Sequence, residues 1–428
     1  MLIRGARQVG KSYSVTSFGQ QEFTDVVTVN FELQPEMKQC FTNLPPREII
    51  EKITLLSKKD IFPGNTLLFF DEIQECPQAI LSLRYFYEQM PQLHVIGAGS
   101  LLEFTLASEQ FRMPVGRVQY LFMHPLSFGE FLDAVGEDRL REAVQSRDAP
   151  KIIDDPLHTH LMSLAKKYMV LGGMPAVLEE FLDTGNMNRC LQIQQLIAQT
   201  YRDDFGKYAN RIRHRYLEKI FYGVPRMVGR KFKYSHIDPT LQSRDLKQAL
   251  ELLEQAGGLY RVRRTSGEGV PLEANARDNQ FKTIFLDIGL MQNMCGLNEQ
   301  IALADDLLAV NAGALAEQLV GQELIAHHNP FAGPSLYYWG REARNSSAEV
   351  DYLITSGPKV IPVEVKSGPA GRMKSMQLFF KKYGPGKGIK FSQAPFDCSH
   401  DIINLPLYAV EYLDTLLNRL KTGKGNAL

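Results

Sequence analysis

A chain of 428 residues exceeds what one hydrophobic core serves and suits roughly two to four domains. Hydrophobic residues at 44% and charged residues at 22% are ordinary for a globular protein, and Lys+Arg and Asp+Glu balance at 48 each, so net charge points to neither nucleic acid nor a membrane surface. The five cysteines (Cys40, Cys76, Cys190, Cys295, Cys398) form no C-x-x-C pair, which argues for a reducing, cytoplasmic compartment and against zinc, and no apolar run nears the ~20 residues of a membrane span.

The first element is a motif. Gly5-Ala-Arg-Gln-Val-Gly10-Lys11-Ser12 fits G-x-x-x-x-G-K-[ST] at every fixed position, the pattern of a loop whose backbone N–H groups cradle a polyphosphate. Lys11 would reach the β/γ-phosphates and the Ser12 hydroxyl would ligate Mg²⁺, so ATP and Mg²⁺ are the expected ligands. Only Met1 to Ile3 precede the loop as strand. Apolar runs at Val26–Phe31, Thr66–Phe70, Leu93–Gly97 and Gln119–Phe122 alternate with helical patterns and predict a parallel α/β sheet. Thr66–Phe70 ends in Asp71-Glu72, one carboxylate to hold the Mg²⁺ shell and one to polarise an attacking water. His94-Val-Ile-Gly-Ala-Gly-Ser100 ends in a hydroxyl, which reads either as a γ-phosphate sensor or as a helix N-cap before Leu101 and Leu102. Arg117, in Pro114-Val-Gly-Arg117, reads as an arginine finger or as a surface contact.

From Pro125 to about Phe205 the pattern is helical, broken at Gly172-Gly173 and Pro175. Short helical segments follow, then strands at Leu259–Arg264 and Phe281–Leu286, an order that suits a winged helix-turn-helix. Within Ser235–Ala256 the second helix shows Leu246, Ala249, Leu250 and Leu253 at the spacing of one buried face. Basic residues gather here: Arg211, Arg213, Arg215, Arg226, Arg230, Lys231 and Lys233, then Arg261, Arg263 and Arg264. They fit either salt-sensitive DNA binding through phosphates or a solvated surface.

A helix is expected over Gly313–His327, then strands at Leu336–Tyr338, Glu349–Ile354 and Val360–Lys366. Asp351 lies on the second strand, and Pro362-Val-Glu364-Val-Lys366 puts Glu364 and Lys366 on one face of the third. A hairpin would set Asp351 beside Glu364 as hard oxygen ligands for Mg²⁺, with Glu317 on the helix as a third carboxylate and Lys366 to steady a developing phosphorane charge. The order resembles the PD-(D/E)xK nuclease site, with Val350 where a proline is usual; a solvated Glu/Lys face is the plain alternative. Tyr337-Tyr338-Trp339 read as bases' stacking partners or as core.

The loop motif, Asp71-Glu72-Ile-Gln-Glu-Cys-Pro, Gly99-Ser100-Leu-Leu-Glu-Phe and Val115-Gly-Arg117 together resemble a prokaryotic family of AAA-type ATPases. So do Pro125-Leu-Ser-Phe-Gly-Glu-Phe, Gly172-Gly173-Met-Pro175 and Phe285-Leu-Asp287-Ile-Gly289-Leu. The resemblance implies an α/β P-loop NTPase core of the AAA type over 1–124, a helical lid over 125–205, a winged-helix domain over 206–298 and a C-terminal α/β restriction-endonuclease-like domain over 299–428. It also implies sensor 1 at Ser100. At its start the chain departs from the family pattern, in which further residues complete the first strand and approach the adenine; the departure suggests a missing N-terminal piece. Two functions are carried forward. One is an ATP-hydrolysing protein that engages DNA, forms a homo-oligomer and bears a nuclease-like domain. The other is an ATP-controlled switch or scaffold whose C-terminal domain binds partners without cleavage.

Overall fold

Five short strands, Leu2–Arg4 (β1), Asp25–Asn30 (β2), Thr66–Asp71 (β3), His94–Ala98 (β4) and Tyr120–Phe122 (β5), form a parallel sheet in the order β2-β3-β4-β1-β5. This computed structural model describes residues 1–43, 45–99, 102, 116–208, 211–296, 312–343, 346–368, 373–398 and 400–421. The chain divides into two units: Met1–His124 with Gln255–Gly257 and Asn329–Gly333, and then Pro125–Glu254, Gly258–His328 and Pro334–Leu428.

In the first unit β1 has three residues, yet it is paired on both edges, Leu2 lying opposite Gly97 of β4 and Tyr120 of β5. The interior strand β3 is buried along Thr66–Phe70, as a parallel strand covered on both faces requires. The helices Lys11–Glu22 (α1), Pro46–Ser57 (α2) and Pro77–Gln89 (α3) lie between the strands in sequence. Both α2 and α3 begin with proline, whose fixed φ and missing N–H suit a first helical turn. On α2 the buried Pro46, Ile49 and Ile53 fall on one helical stripe. Gly19 lets α1 approach the sheet closely, because a Cβ there would stand 2.6 Å from Val26 and 2.9 Å from Leu67. Phe31, Phe41, Phe70 and Phe86 interlock in the core, with Phe41 and Phe70 edge to face at 5.3 Å. In that order β4 lies between β1, which leads into the phosphate loop, and β3, which ends in Asp71.

The second unit begins with helices, among them Asp155–Leu171, Pro175–Thr184 and Met187–Tyr208. Two sequence motifs meet there. Asp287 caps the helix Ile288–Met294 by accepting from Leu290 N at 2.9 Å, and it also accepts from Gly173 N at 2.7 Å. Gly172, at φ +73°, has no room for a side chain, since a Cβ would lie 2.1 Å from Asp287 Oδ1.

The segment expected as a helix-turn-helix is a single turn, Tyr234–Ile237, followed by the helix Ser243–Gln255, which buries Leu246, Ala249, Leu250 and Leu253. The hairpin of Leu259–Thr265 (β6) and Arg277–Phe285 (β7) is continuous with the C-terminal strands. With Leu336–Ala343 (β8), Ser346–Ser356 (β9), Lys359–Val365 (β10), Gly388–Ser392 (β11) and Ile402–Pro406 (β12) it makes a seven-stranded sheet, ordered β12-β11-β10-β9-β8-β6-β7. β6 pairs in parallel with β8, Val262 opposite Leu336, so the boundary drawn at 298 from sequence is no boundary of this sheet. A free β6 would leave a row of backbone groups unpaired; pairing with β8 satisfies them. Among the described residues no helix is long and apolar enough to cross a membrane.

Candidate nucleotide site and C-terminal carboxylate cluster

The phosphate loop takes its shape from two glycines. Gly5 sits at φ +141°, where a Cβ would meet the Met123 carbonyl oxygen at 2.1 Å, and Gly10 at φ +92° turns the chain into α1. No side chain caps α1 and its first turn holds no acidic residue, so its leading N–H groups suit a phosphate. Lys11 is buried, its Nζ donating to the carbonyls of Gly5 at 2.9 Å and Ala6 at 2.6 Å.

Ser12 Oγ donates to Asp71 Oδ1 at 2.9 Å, and Asn30 Nδ2 to Asp71 Oδ2 at 3.0 Å. Burial raises the Asp71 carboxyl above its ordinary value against the pull of the Ser12 bond, and the Glu72 charge adds to the rise. The adjacent hydroxyl and carboxylate are hard oxygen donors, a set that fits Mg²⁺. Glu72 lies in the left-handed region at φ +48°, a strained conformation for a side-chain-bearing residue. Its Oε2 accepts from Gln74 Nε2 at 2.6 Å. Gln74 is itself buried against the end of β4, because a Cβ on Gly99 would lie 1.8 Å from Gln74 Oε1. Asn30 and Gln74 were missed in the sequence; only the strand-end position of Asn30 and the place of Gln74 beside Asp71-Glu72 hinted at them.

Ser100 lies outside the described residues. Arg117 is engaged on α3: its Nε donates to Glu88 at 3.0 Å and its guanidinium lies 5.9 Å from the Tyr87 ring centre. The structure thus brings Lys11, Ser12, Asp71 and Glu72 together and leaves Arg117 on α3 in its own chain.

In the second unit, Glu317 comes from the helix Ala312–Ala326 and Asp351 from β9, and the register Val363 opposite Tyr352 sets Asp351 beside Glu364. The centre they surround is a lysine. Lys282 of β7 places its Nζ against Glu317 Oε1, 3.1 Å from Glu349 Oε1 and 3.4 Å from Asp351 Oδ1, with the Tyr338 ring centre at 5.5 Å. Burial alone would lower the Lys282 pKa; the charges of Glu317, Asp351 and Glu349 overcome it and hold the ammonium well above its ordinary value. Asp351 Oδ2 accepts from Val365 N at 2.8 Å, and Glu364 Oε1 accepts from Lys366 Nζ at 2.9 Å. Among the described residues no group of three or more His, Cys, Asp or Glu side chains is arranged to hold a metal ion. Lys282 and Glu349 were missed in the sequence, where the one signal was a lysine inside the apolar run Phe281–Leu286.

The basic residues divide. Arg261 Nε donates to Glu254 at 2.6 Å, Arg263 pairs with Asp278 at 3.3 Å, and Arg264 donates to the Gly340 carbonyl at 2.6 Å. Arg215, Arg226, Arg230 and Lys233 are exposed. Tyr337, Tyr338 and Trp339 are buried, Trp339 edge to face with Phe379 at 5.5 Å, so they serve the core.

Comparisons bear on each part. Residues 1–132 match the model of an AAA domain. The first unit carries an AAA-type P-loop domain. Residues 162–301 match a domain of unknown function (DUF8612), which runs from the helices through the hairpin, and residues 312–408 match another (DUF4143). No curated protein matches. Similar solved structures include the Aeropyrum pernix Orc1 protein in complex with DNA, at 13% identity over 71% of this chain and 88% of that one with a TM-score of 0.28. The Aeropyrum pernix Orc2 protein (ADPNP-ADP complexes) matches at 10% identity over the same shares, 71% and 88%, with a TM-score of 0.33. Scores this low add nothing to the reading of the AAA domain.

Proposed function

We propose that the AAA domain binds ATP with Mg²⁺ and hydrolyses it, and that the chain uses the cycle on DNA. Supporting this is one arrangement: the phosphate loop with Ser12 hydrogen-bonded to Asp71, and Glu72 beside them held by Gln74. Backbone N–H groups at Gly5 to Gly10 and the Lys11 ammonium would bind the β- and γ-phosphates, Lys11 exchanging its two loop carbonyls for phosphate oxygens. Ser12 and Asp71 would hold Mg²⁺, which supplies charge neutralisation at the phosphates when bound. The Glu72 carboxylate would take a proton from water as the water oxygen bonds to the γ-phosphorus; the bond to the bridging oxygen breaks and ADP leaves with the electron pair. Ser100 would sense the γ-phosphate, and Arg117 would serve as finger for the nucleotide of a neighbouring copy in a homo-oligomer.

The exposed Arg215, Arg226, Arg230 and Lys233 would contact DNA phosphates through a winged-helix-like segment. The mixed strands β9 to β12, with Asp351, Glu364, Lys366 and Glu317, support a restriction-endonuclease-like reading of the C-terminal part. One observation favours the second reading, binding without cleavage: Lys282 stands among the carboxylates.

The test is ATP turnover, with and without DNA, for wild type, Lys11→Ala and Glu72→Gln. Lys11→Ala is expected to lose nucleotide binding. Glu72→Gln is expected to keep it and to turn over on the order of 10²- to 10⁴-fold more slowly. Turnover unchanged in Glu72→Gln would remove the hydrolytic assignment, and a protein that binds ATP without DNA-stimulated turnover would be the switch.

A further inference from the structure

We infer that the carboxylate cluster of the second unit is closed by the chain's own Lys282 ammonium, and so works as a metal-free pin that neither binds a divalent cation nor cuts nucleic acid. This builds on the nuclease-like reading above and decides between its two forms.

The stoichiometry is matched. An ammonium has three N–H donors, and three carboxylates from two elements face it: Glu317 on the helix, Glu349 and Asp351 on β9. Charged partners also outcompete neutral ones for such donors. The Lys282 side chain is 1% exposed and its Nζ lies 5.5 Å from the Tyr338 ring centre, so the ammonium is closed off from solvent. A divalent cation needs oxygen ligands at about 2.0–2.6 Å, which would require these carboxylates to converge on the point where Nζ stands. Placing a dication beside a retained buried ammonium would set like charges together in a poorly screened interior. Of the remaining expected ligand, Glu364, one oxygen, Oε1, is held by Lys366, and the other is buried with no hydrogen-bond partner among the described residues, so a cation at that position would have one free carboxylate oxygen and not the several it needs.

Placement on β7 gives the lysine a mechanical role. It ties the hairpin strand β7 to the helix Ala312–Ala326 and to β9, doing with one side chain what a structural metal does elsewhere. The domain that results is suited to binding rather than chemistry.

The experiment uses the full chain carrying Asp71→Asn, which removes a carboxylate from the P-loop metal position, and follows Mn²⁺ binding by the loss of the free-ion EPR signal. The expected isotherm is the same with and without Asp351→Asn. The unmodified chain should leave linear and branched DNA intact in Mn²⁺. A Mn²⁺ equivalent that disappears with Asp351→Asn overturns the inference, as does Mn²⁺-dependent cleavage abolished by Lys366→Ala. Should Asp351→Asn fail to fold, Glu364→Gln, outside the group of three around Lys282, gives the same comparison. Lys282→Met should lower the unfolding midpoint by several degrees; a midpoint equal to wild type would remove the pin. None of these readouts involves ATP turnover, so failure here and failure of the ATPase reading are separate results.

Discussion

Ser12 Oγ donates to Asp71 Oδ1 across 2.9 Å, joining the first turn of α1 to the end of β3 although β4 lies between their strands. The pair places the hydroxyl and carboxylate that Mg²⁺ would take side by side. Ser12→Ala should therefore raise the Mg²⁺ concentration needed for half-maximal ATP turnover by roughly tenfold, ~1.4 kcal/mol. A Mg²⁺ titration of turnover reads this directly, and an unchanged midpoint would count against the shared site.

Gln74 is expected to be a positioning residue for Glu72, through its 2.6 Å hydrogen bond. Gln74→Ala should lower kcat by about tenfold with KM for ATP unchanged, because an amide that acts only on Glu72 leaves ground-state binding alone. A rise in KM with kcat intact would assign Gln74 to nucleotide binding instead.

Asp287 carries a pH dependence. Burial pushes its carboxyl from 3.8 up to about 6 in the folded chain, against hydrogen bonds from Gly173, Leu290 and Gly289. The folded state thus holds the proton more tightly, so this group's stabilisation is fully present below about pH 4 and is lost as pH rises through 6. Against Asp287→Asn, which cannot ionise, wild type should lose on the order of 3 kcal/mol between those limits. Urea unfolding of both proteins at several pH values checks it; parallel profiles would exclude the effect.

DNA binding, if it runs through phosphates, should depend on the arginines left exposed. Arg226→Ala, Arg230→Ala and Lys233→Ala together should weaken DNA binding and reduce the log–log salt slope by about 3. Arg261→Ala should lower stability instead, since it removes the 2.6 Å hydrogen bond to Glu254 and leaves that carboxylate Arg263, at 3.6 Å, as its charged partner. Equal salt slopes for the triple variant and wild type would place the contact elsewhere.

The phosphate loop, the Asp71-Glu72 pair and the strands around them were legible from local sequence. A loop motif specifies its own backbone, and a buried parallel strand such as Thr66–Phe70 announces itself as an apolar run. The helical spacing of Leu246, Ala249, Leu250 and Leu253 likewise stated which face would be buried. Period and motif report the face a residue presents; they say nothing of what arrives on the other side. Lys282 reads as one charge in an apolar strand until the fold carries it to Asp351, 69 residues away, and to Glu317 and Glu349. The three arginines of β6 fit either a nucleic-acid surface or a solvated one until Glu254, Asp278 and the Gly340 carbonyl engage them. By itself the sequence determined a phosphate-binding α/β domain with its loop and carboxylates. Only the tertiary structure decided which charges face one another, because ion pairing depends on distances that chain order does not encode and that burial makes decisive.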